Sequence, residues 1–163
     1  SQSPQETYNL VRAVRSQTKK TIITKLSPNV TDIVEIALAA EAAGSDAVSL
    51  INTLTGMSID INTRRPKISA VVAGLSGPAI RPVAVRMVWE VYNKAKIPII
   101  GMGGIMNARD ALEFFIAGAT AVSLGTANFV EPQAAPLVIA GIKEYLSQHK
   151  LNDIAPLIGS LKR

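Results

Sequence analysis

The stretch IPIIGMGGIMNARDALEFFIAGATAVSLGTA, residues 97–127, decides the fold. Ile97-Pro98-Ile99-Ile100 reads as a buried strand, and Asn107 is placed to cap a helix that runs to Ala117 and ends at Gly118. Ala121-Val122-Ser123-Leu124 then reads as a second apolar strand. Strand, helix and strand in close succession make a βαβ unit, whose two strands lie parallel.

The same alternation extends upstream. Thr21 to Leu26 is a short strand stopped by Ser27-Pro28-Asn29, Asp32 to Ala43 a helix ended by Gly44, and Ala47 to Ile51 the next strand. Arg81-Pro82 opens a helix to about Lys94, with Val85, Val88, Trp89 and Tyr92 expected on its buried face. At the start, Ser3-Pro4-Gln5-Glu6 has the form of a capping box opening a helix to about Gln17, with Leu10, Val11 and Val14 on one face. Helices are expected over Gln133 to Gln148 and from Asn152 onward. Between Asn52 and Ser76 the pattern loosens. Met57 to Ile61 alternates, Arg65-Pro66 reads as a turn, and Ile68 to Ala73 is a second apolar run, which together suggest an inserted excursion at about 54–76.

Strand starts near residues 22, 47, 97 and 121 define four βα units with continuous apolar strands, the mark of a parallel sheet covered by helices. Four units are half of an eight-stranded barrel, which typically needs about 250 residues. The expected fold is therefore α/β, half of a (β/α)8 TIM barrel, formed as one segment over residues 1–163.

Composition narrows the function classes. Apolar residues make up 48% of the 163, enough for a core, while aromatics are only 4%. Seventeen Lys and Arg against twelve Asp and Glu leave a formal charge of +5, but the cations are scattered without interleaved aromatic platforms. This argues against nucleic acid as a partner. Arg64, Arg65 and Lys67, the densest basic group, read as a solvated face. No long apolar run or signal-peptide pattern is present, so the expectation is a cytoplasmic protein with no membrane partner. The chain has no cysteine, which excludes thiolate metal sites and a cysteine nucleophile within it.

In barrels of this kind the site lies at the carboxyl ends of the strands. There the sequence places Lys25, then Asn52-Thr53, then Gly101-Met102-Gly103-Gly104, then Gly125-Thr126. The two glycine sets expose backbone N–H groups to an anion, and they follow the final two strands, where barrel phosphate sites sit. The bland reading of these glycines is tight turns. Lys25 either snorkels to solvent or stabilises charge developing on a bound ring. Asn52-Thr53 is either a local turn or a donor and acceptor pair for a flat heterocycle. Gly77, in Ser76-Gly77-Pro78, either breaks the chain or allows close approach of a flat ligand. His149 reads as structural at a helix end, Ser123 lies mid-strand, and no Ser–His–Asp set or paired carboxylates suggest themselves.

These segments resemble a known family. Lys25-Leu26-Ser27-Pro28-Asn29, Ile51 to Met57, Gly74 to Pro82, Ile100-Gly101-Met102-Gly103-Gly104-Ile105 and Leu124-Gly125-Thr126-Ala127 match, in order and spacing, the C-terminal half of dihydroorotate dehydrogenase. Ile59-Asp60 in the excursion and the Ile-Gly-Met-Gly-Gly loop look most like its NAD-linked class, class 1B. The resemblance implies an FMN-binding (β/α)8 barrel that oxidises dihydroorotate to orotate in pyrimidine biosynthesis. It implies that Lys25 contacts the flavin near its pyrimidine edge and stabilises its reduced, anionic form, and that Ile51 and Gly77 pack the ring or its side chain. Gly103, Gly104, Gly125 and Thr126 would hold the FMN phosphate, and Asn52 and Thr53 the substrate. The family's soluble classes take their proton-accepting base from a cysteine in the N-terminal half, which here would lie upstream of Ser1. The resemblance further implies a homodimer joined to an electron-transfer subunit carrying FAD and a [2Fe–2S] cluster, neither bound by this chain. Two other readings stand beside this one: a dihydropyrimidine dehydrogenase-type domain, and a non-catalytic phosphate-binding half-barrel. An isolated half-barrel is expected to expose apolar flanks at its outermost strands.

Overall fold

A computed structural model describes residues 3–162. Four parallel strands form its main sheet: β1 (Ile23–Lys25), β2 (Ala47–Leu50), β7 (Ile99–Met102) and β8 (Ala121–Ser123), in that spatial order. Each neighbouring pair is joined by one helix, α2 (Ile33–Ala42), α3 (Arg81–Tyr92) and α4 (Ala108–Ala117), and successive helices pack side by side. Helix α1 (Pro4–Gln17) packs on α2, and α6 (Ala134–Gln148) packs on α4. Strand order follows chain order without a reversal, and the helices follow in the same sequence. That is the winding of a (β/α)8 barrel rather than of a doubly wound sheet, and four strands make half of one.

Local chemistry accounts for the helix ends. Asp32 accepts from the backbone N–H of Val34 (2.7 Å) and Glu35 (3.4 Å), and Asn107 accepts from that of Asp110 (3.1 Å). Helix α2 ends with Gly44 at φ +99°, its N–H bonded to the Glu41 carbonyl and that of Ser45 to Ala40, the paired bonds of a Schellman motif. Pro4 opens α1 as expected, but the Ser3 side chain makes no capping bond. Instead its carbonyl accepts from Thr7.

The core lies between the sheet and its helices. Val48, Leu50 and Ile99 are buried against Ala37, Ala40, Val88, Val91 and Phe114. Small side chains on α2 let the helix approach closely. Two expected faces and one expected helix are corrected. On α1 only Thr7 and Val11 are buried, while Leu10 and Val14 are exposed on the flank turned away from α2. Helix α3 buries Val88 as expected, but its other buried residues are Ala84, Met87 and Val91, while Val85 and Trp89 are only partly buried and Tyr92 is exposed. The reason is that Ala84 lies where the β7 loop approaches, and Tyr92 seats on Gly118 and Gly159, at whose positions a Cβ would come within 2.1 and 2.2 Å of its ring. After Asn152 there is one 3-10 turn, Ala155–Leu157, and no α-helix among the described residues.

The excursion is two nested antiparallel pairs: β3 (Leu54–Gly56) with β6 (Ala73–Leu75), and β4 (Ile59–Asp60) with β5 (Arg65–Pro66). Arg65-Pro66 is thus a strand and not the turn expected. The turn falls at 61–64, where the Asp60 carboxylate accepts from the N–H groups of Asn62 and Thr63, both at 2.9 Å. Pro66 is tolerated because a two-strand ribbon is all edge. The Ile68 to Ala73 run is exposed throughout.

Candidate functional site

Side chains alternate along a strand, so each strand offers one face to the helices and one to the concave side. The register puts Ile23, Lys25, Ala47, Ser49, Ile100, Met102, Ala121 and Ser123 on the concave side. At the carboxyl end of that side, five segments close around a cavity of about 400 Å³. Lys25 comes from the end of β1, Ile51, Asn52 and Thr53 follow β2, and Ser76 to Ile80 follow β6. Met102 ends β7 and Gly103 to Met106 follow it, and Ser123 ends β8, with Gly125, Thr126 and Ala127 beyond it. All nine candidates from the sequence, Lys25, Ile51, Asn52, Thr53, Gly77, Gly103, Gly104, Gly125 and Thr126, line this one cavity.

Lys25 is the one charged side chain among the described residues lining it, and it is exposed. It forms no ion pair among the described residues. The cavity is therefore electropositive and suited to an anion. Its remaining polar side chains, from Asn52, Thr53, Ser76, Ser123 and Thr126, are neutral, and none is a carboxylate or an imidazole.

The glycines divide into two kinds. Gly103 and Gly104 have φ of +128° and +75°, and a Cβ on Gly104 would stand 2.6 Å from the Gly77 carbonyl oxygen. The fold itself demands glycine there. Gly125 has no such reason: its φ is ordinary and a Cβ would meet nothing within 4 Å. Gly77 adopts φ +91° but likewise faces open space. At Gly77 the positive φ itself favours glycine, whereas Gly125 leaves room beside a backbone that does not need it, which is what close approach of a ligand requires.

The walls are braced by residues that the sequence reading had not assigned. Asn29 donates through Nδ2 to the Thr53 carbonyl (3.0 Å) and accepts at Oδ1 from the Thr55 N–H (3.0 Å), so the loop after β1 holds the segment after β2. The Asn52 carboxamide oxygen accepts from Thr53 N–H (3.0 Å), which fixes the side chain and leaves its Nδ2 donors directed elsewhere. Asn128 Nδ2 donates to the carbonyls of Leu124 (3.0 Å) and Gly125 (3.2 Å), pinning the Gly125-Thr126 turn before α5 (Ala127–Val130). The hydroxyls of Ser76 and Thr126 lie 3.4 Å apart across the rim. Ser123 and Met102 were legible as wall residues from strand alternation. Asn29 and Asn128 gave no signal, because their bonds reach across or within loops.

Features outside the cavity serve the fold. The two shifted carboxylates are remote from it. Asp46, at the amino end of β2, is held below the usual carboxylate range by the Ile22 N–H and then by Arg15. Asp60 is held down by the Thr63 and Asn62 N–H groups of the hairpin turn. His149 stacks on Tyr145 with ring centroids 4.0 Å apart, a structural role. A larger groove of about 560 Å³ between α3 and α4 is lined by Val85, Trp89 and Ile116 and has no strand-end residue, so it offers little chemistry. No helix among the described residues is long and apolar enough to cross a membrane. No group of three or more His, Cys, Asp or Glu that could hold a metal occurs among them.

Comparison with known proteins agrees with the geometry. The family model described as dihydroorotate dehydrogenase matches residues 1–146. A Trichlorobacter lovleyi protein named "Dihydroorotate dehydrogenase B (NAD(+)), catalytic subunit" is 58% identical over 154 residues, 94% of this chain and 51% of that protein. Proteins of the same name are 57% identical in Geotalea daltonii, over 98% of this chain and 52% of theirs, and 54% identical in Caldicellulosiruptor saccharolyticus, over 97% and 53%. The chain spans about half the length of the curated relatives it matches. A half-barrel with its strand-end glycines gathered at one cationic cavity, and identity above one half along nearly its full length, lead to one conclusion: this chain belongs to the dihydroorotate dehydrogenase family.

Proposed function

We propose that this chain is the C-terminal, flavin-holding half of an NAD-linked dihydroorotate dehydrogenase, completed by an upstream half-barrel. The observation that carries this reading is the convergence of all nine candidate residues on one cavity, with Gly125 leaving space that the fold does not use. FMN fits such a site, because its phosphate suits the Gly103, Gly104, Gly125 and Thr126 backbone and its ring suits the wall at Ile51 and Gly77. When bound, FMN would supply the acceptor for the hydride that leaves one ring carbon of dihydroorotate, while a proton leaves the neighbouring carbon and the pair becomes the C=C of orotate.

The chain's own residues would orient and stabilise. Lys25 sets a cation where negative charge develops on the ring, and being unpaired it has no competing carboxylate to satisfy. Asn52 Nδ2 and the Thr53 hydroxyl offer hydrogen bonds to the polar edges of the substrate ring. The cavity has no carboxylate or imidazole to take the substrate proton, and the chain has no cysteine. By the family resemblance, the base that takes this proton is a cysteine of the upstream half. The relatives' name, a catalytic subunit linked to NAD, favours electron passage onward through a second subunit, which by the same resemblance would carry FAD and a [2Fe–2S] cluster. A homodimeric core is part of the same proposal.

Substrate choice tests it. The chain assembled with the upstream half is expected to load FMN and to oxidise dihydroorotate, while leaving dihydrouracil untouched. Preference for the uracil pair would favour a dihydropyrimidine dehydrogenase-type domain. Tight FMN binding without any turnover would favour a non-catalytic module.

A further inference from the structure

Two residues outside the cavity tie its glycine loops together. Asp110, in the first turn of α4, is buried. Its Oδ1 accepts from Arg81 Nη1 (2.5 Å) and its Oδ2 from the Met106 N–H (2.9 Å). Met106 belongs to the loop that carries Gly103 and Gly104. Arg81 is the first residue of α3, directly after the Pro78–Ile80 turn that bonds back to the Gly77 carbonyl (3.1 Å). The two loops also meet backbone to backbone, since a Cβ on Gly104 would lie 2.6 Å from Gly77 O and 3.1 Å from Arg81 N. Thus one carboxylate ties α3 to α4 and to the Gly103-Gly104 loop, and Arg81 carries the link on to the turn after Gly77. Neither Arg81 nor Asp110 lines the cavity.

We propose that Arg81 and Asp110 are a positioning pair that fixes the Gly103-Gly104 loop, against the turn that opens α3, at the spacing a flavin phosphate requires. This rests on the FMN reading above. A buried pair that only tied α3 to α4 would need one bond between them. Here the second carboxylate oxygen is spent on the backbone of the cofactor loop, and charge-assisted bonds of this kind are short and directional. The guanidinium is held on its far side by Glu113, whose Oε2 is 3.5 Å from Arg81 Nε, although Nε is buried without a hydrogen bond. That leaves the Asp110 contact as the one that sets the side chain's position.

The test compares FMN with riboflavin, which shares the ring and lacks the phosphate, on the assembled protein by fluorescence titration. Asp110→Asn keeps the volume and removes the charge. It is expected to weaken FMN about tenfold while leaving riboflavin affinity within about twofold of wild type. Equal losses for both flavins, or unchanged FMN affinity, would overturn the proposal and leave a helix-packing ion pair. If Asp110→Asn does not fold, Arg81→Lys, which keeps the charge but not the geometry, carries the same comparison, and the same results support or overturn the proposal. A wild-type protein with no preference for FMN over riboflavin would instead overturn the FMN reading on which this rests.

Discussion

The two faces of the main sheet are made by alternate residues of the same four strands, yet one is closed by helices and the other, although Ala47 and Ser49 are buried on it, lies open along its outer strands. On the helix side Val48, Leu50 and Ile99 are at most 2% exposed, and Gly101 lies so close to Phe114 that a Cβ there would come within 2.5 Å of its ring. On the concave side Ile23 is 49% exposed, and Lys25, Ala121 and Ser123 are exposed too. Neither β1 nor β8 has an outer strand partner among the described residues. One face holds the fold together, and the other leads at its carboxyl end to the cavity lined by Lys25 and the glycine loops. The difference teaches that substitutions on the two faces should separate stability from cofactor handling, and each prediction below strains that separation.

The largest effect belongs to the closed face. Phe114→Ala removes a fully buried ring and should lower unfolding stability by about 3–5 kcal/mol in denaturant titration. The FMN-to-riboflavin preference of the folded fraction should not move. Next comes Lys25→Ala. In the assembled enzyme, stopped-flow reduction by dihydroorotate should slow by about 10²–10³-fold, with stability and FMN affinity little changed. A near wild-type rate would remove the charge-stabilising role from Lys25. Gly125→Ala sharpens the comparison further: with open space around it, its stability should stay within about 0.5 kcal/mol of wild type, while FMN binding weakens about tenfold. A stability loss instead would make Gly125 a turn residue.

The smallest effect lies away from both faces. Asp46 and Asp60 have carboxyl groups held below their usual pKa of 3.8 in the folded chain. The stability each contributes is complete above the unfolded value and is lost as pH falls through the depressed folded one. Thermal melts should therefore show an acid-side decline below about pH 4 that is shallower in Asp46→Asn. Asp46 is exposed and Asp60 only partly covered, so the change should be slight.

Much of this was legible in the sequence because period and punctuation are local. Gly44, Asn107 and Gly118 mark helix ends by their own backbone chemistry, and the strand ends fix which residues share a rim. That is why Lys25, Asn52, Gly103 and Gly125, far apart in the chain, fall on one cavity. What escaped was set by tertiary contact. The buried face of α3 turns on Ala84 meeting the Gly103 loop and on Tyr92 finding two glycines, one of them 67 residues later at Gly159. Leu10 and Val14 have the right spacing to be buried but no partner on their side of α1. Arg65-Pro66 carries turn residues yet pairs with β4, because a ribbon edge makes no demand on the proline nitrogen. The Arg81–Asp110 pair joins residues 29 apart, which no local pattern announces.

The central claim is that the concave cavity holds FMN for dihydroorotate oxidation. Its most direct test is an anaerobic absorbance spectrum of the assembled protein before and after adding dihydroorotate. The account predicts a bound-flavin spectrum that bleaches with dihydroorotate and is unaffected by dihydrouracil. A protein that takes up no FMN, or a bound flavin that dihydroorotate leaves oxidised, would contradict it.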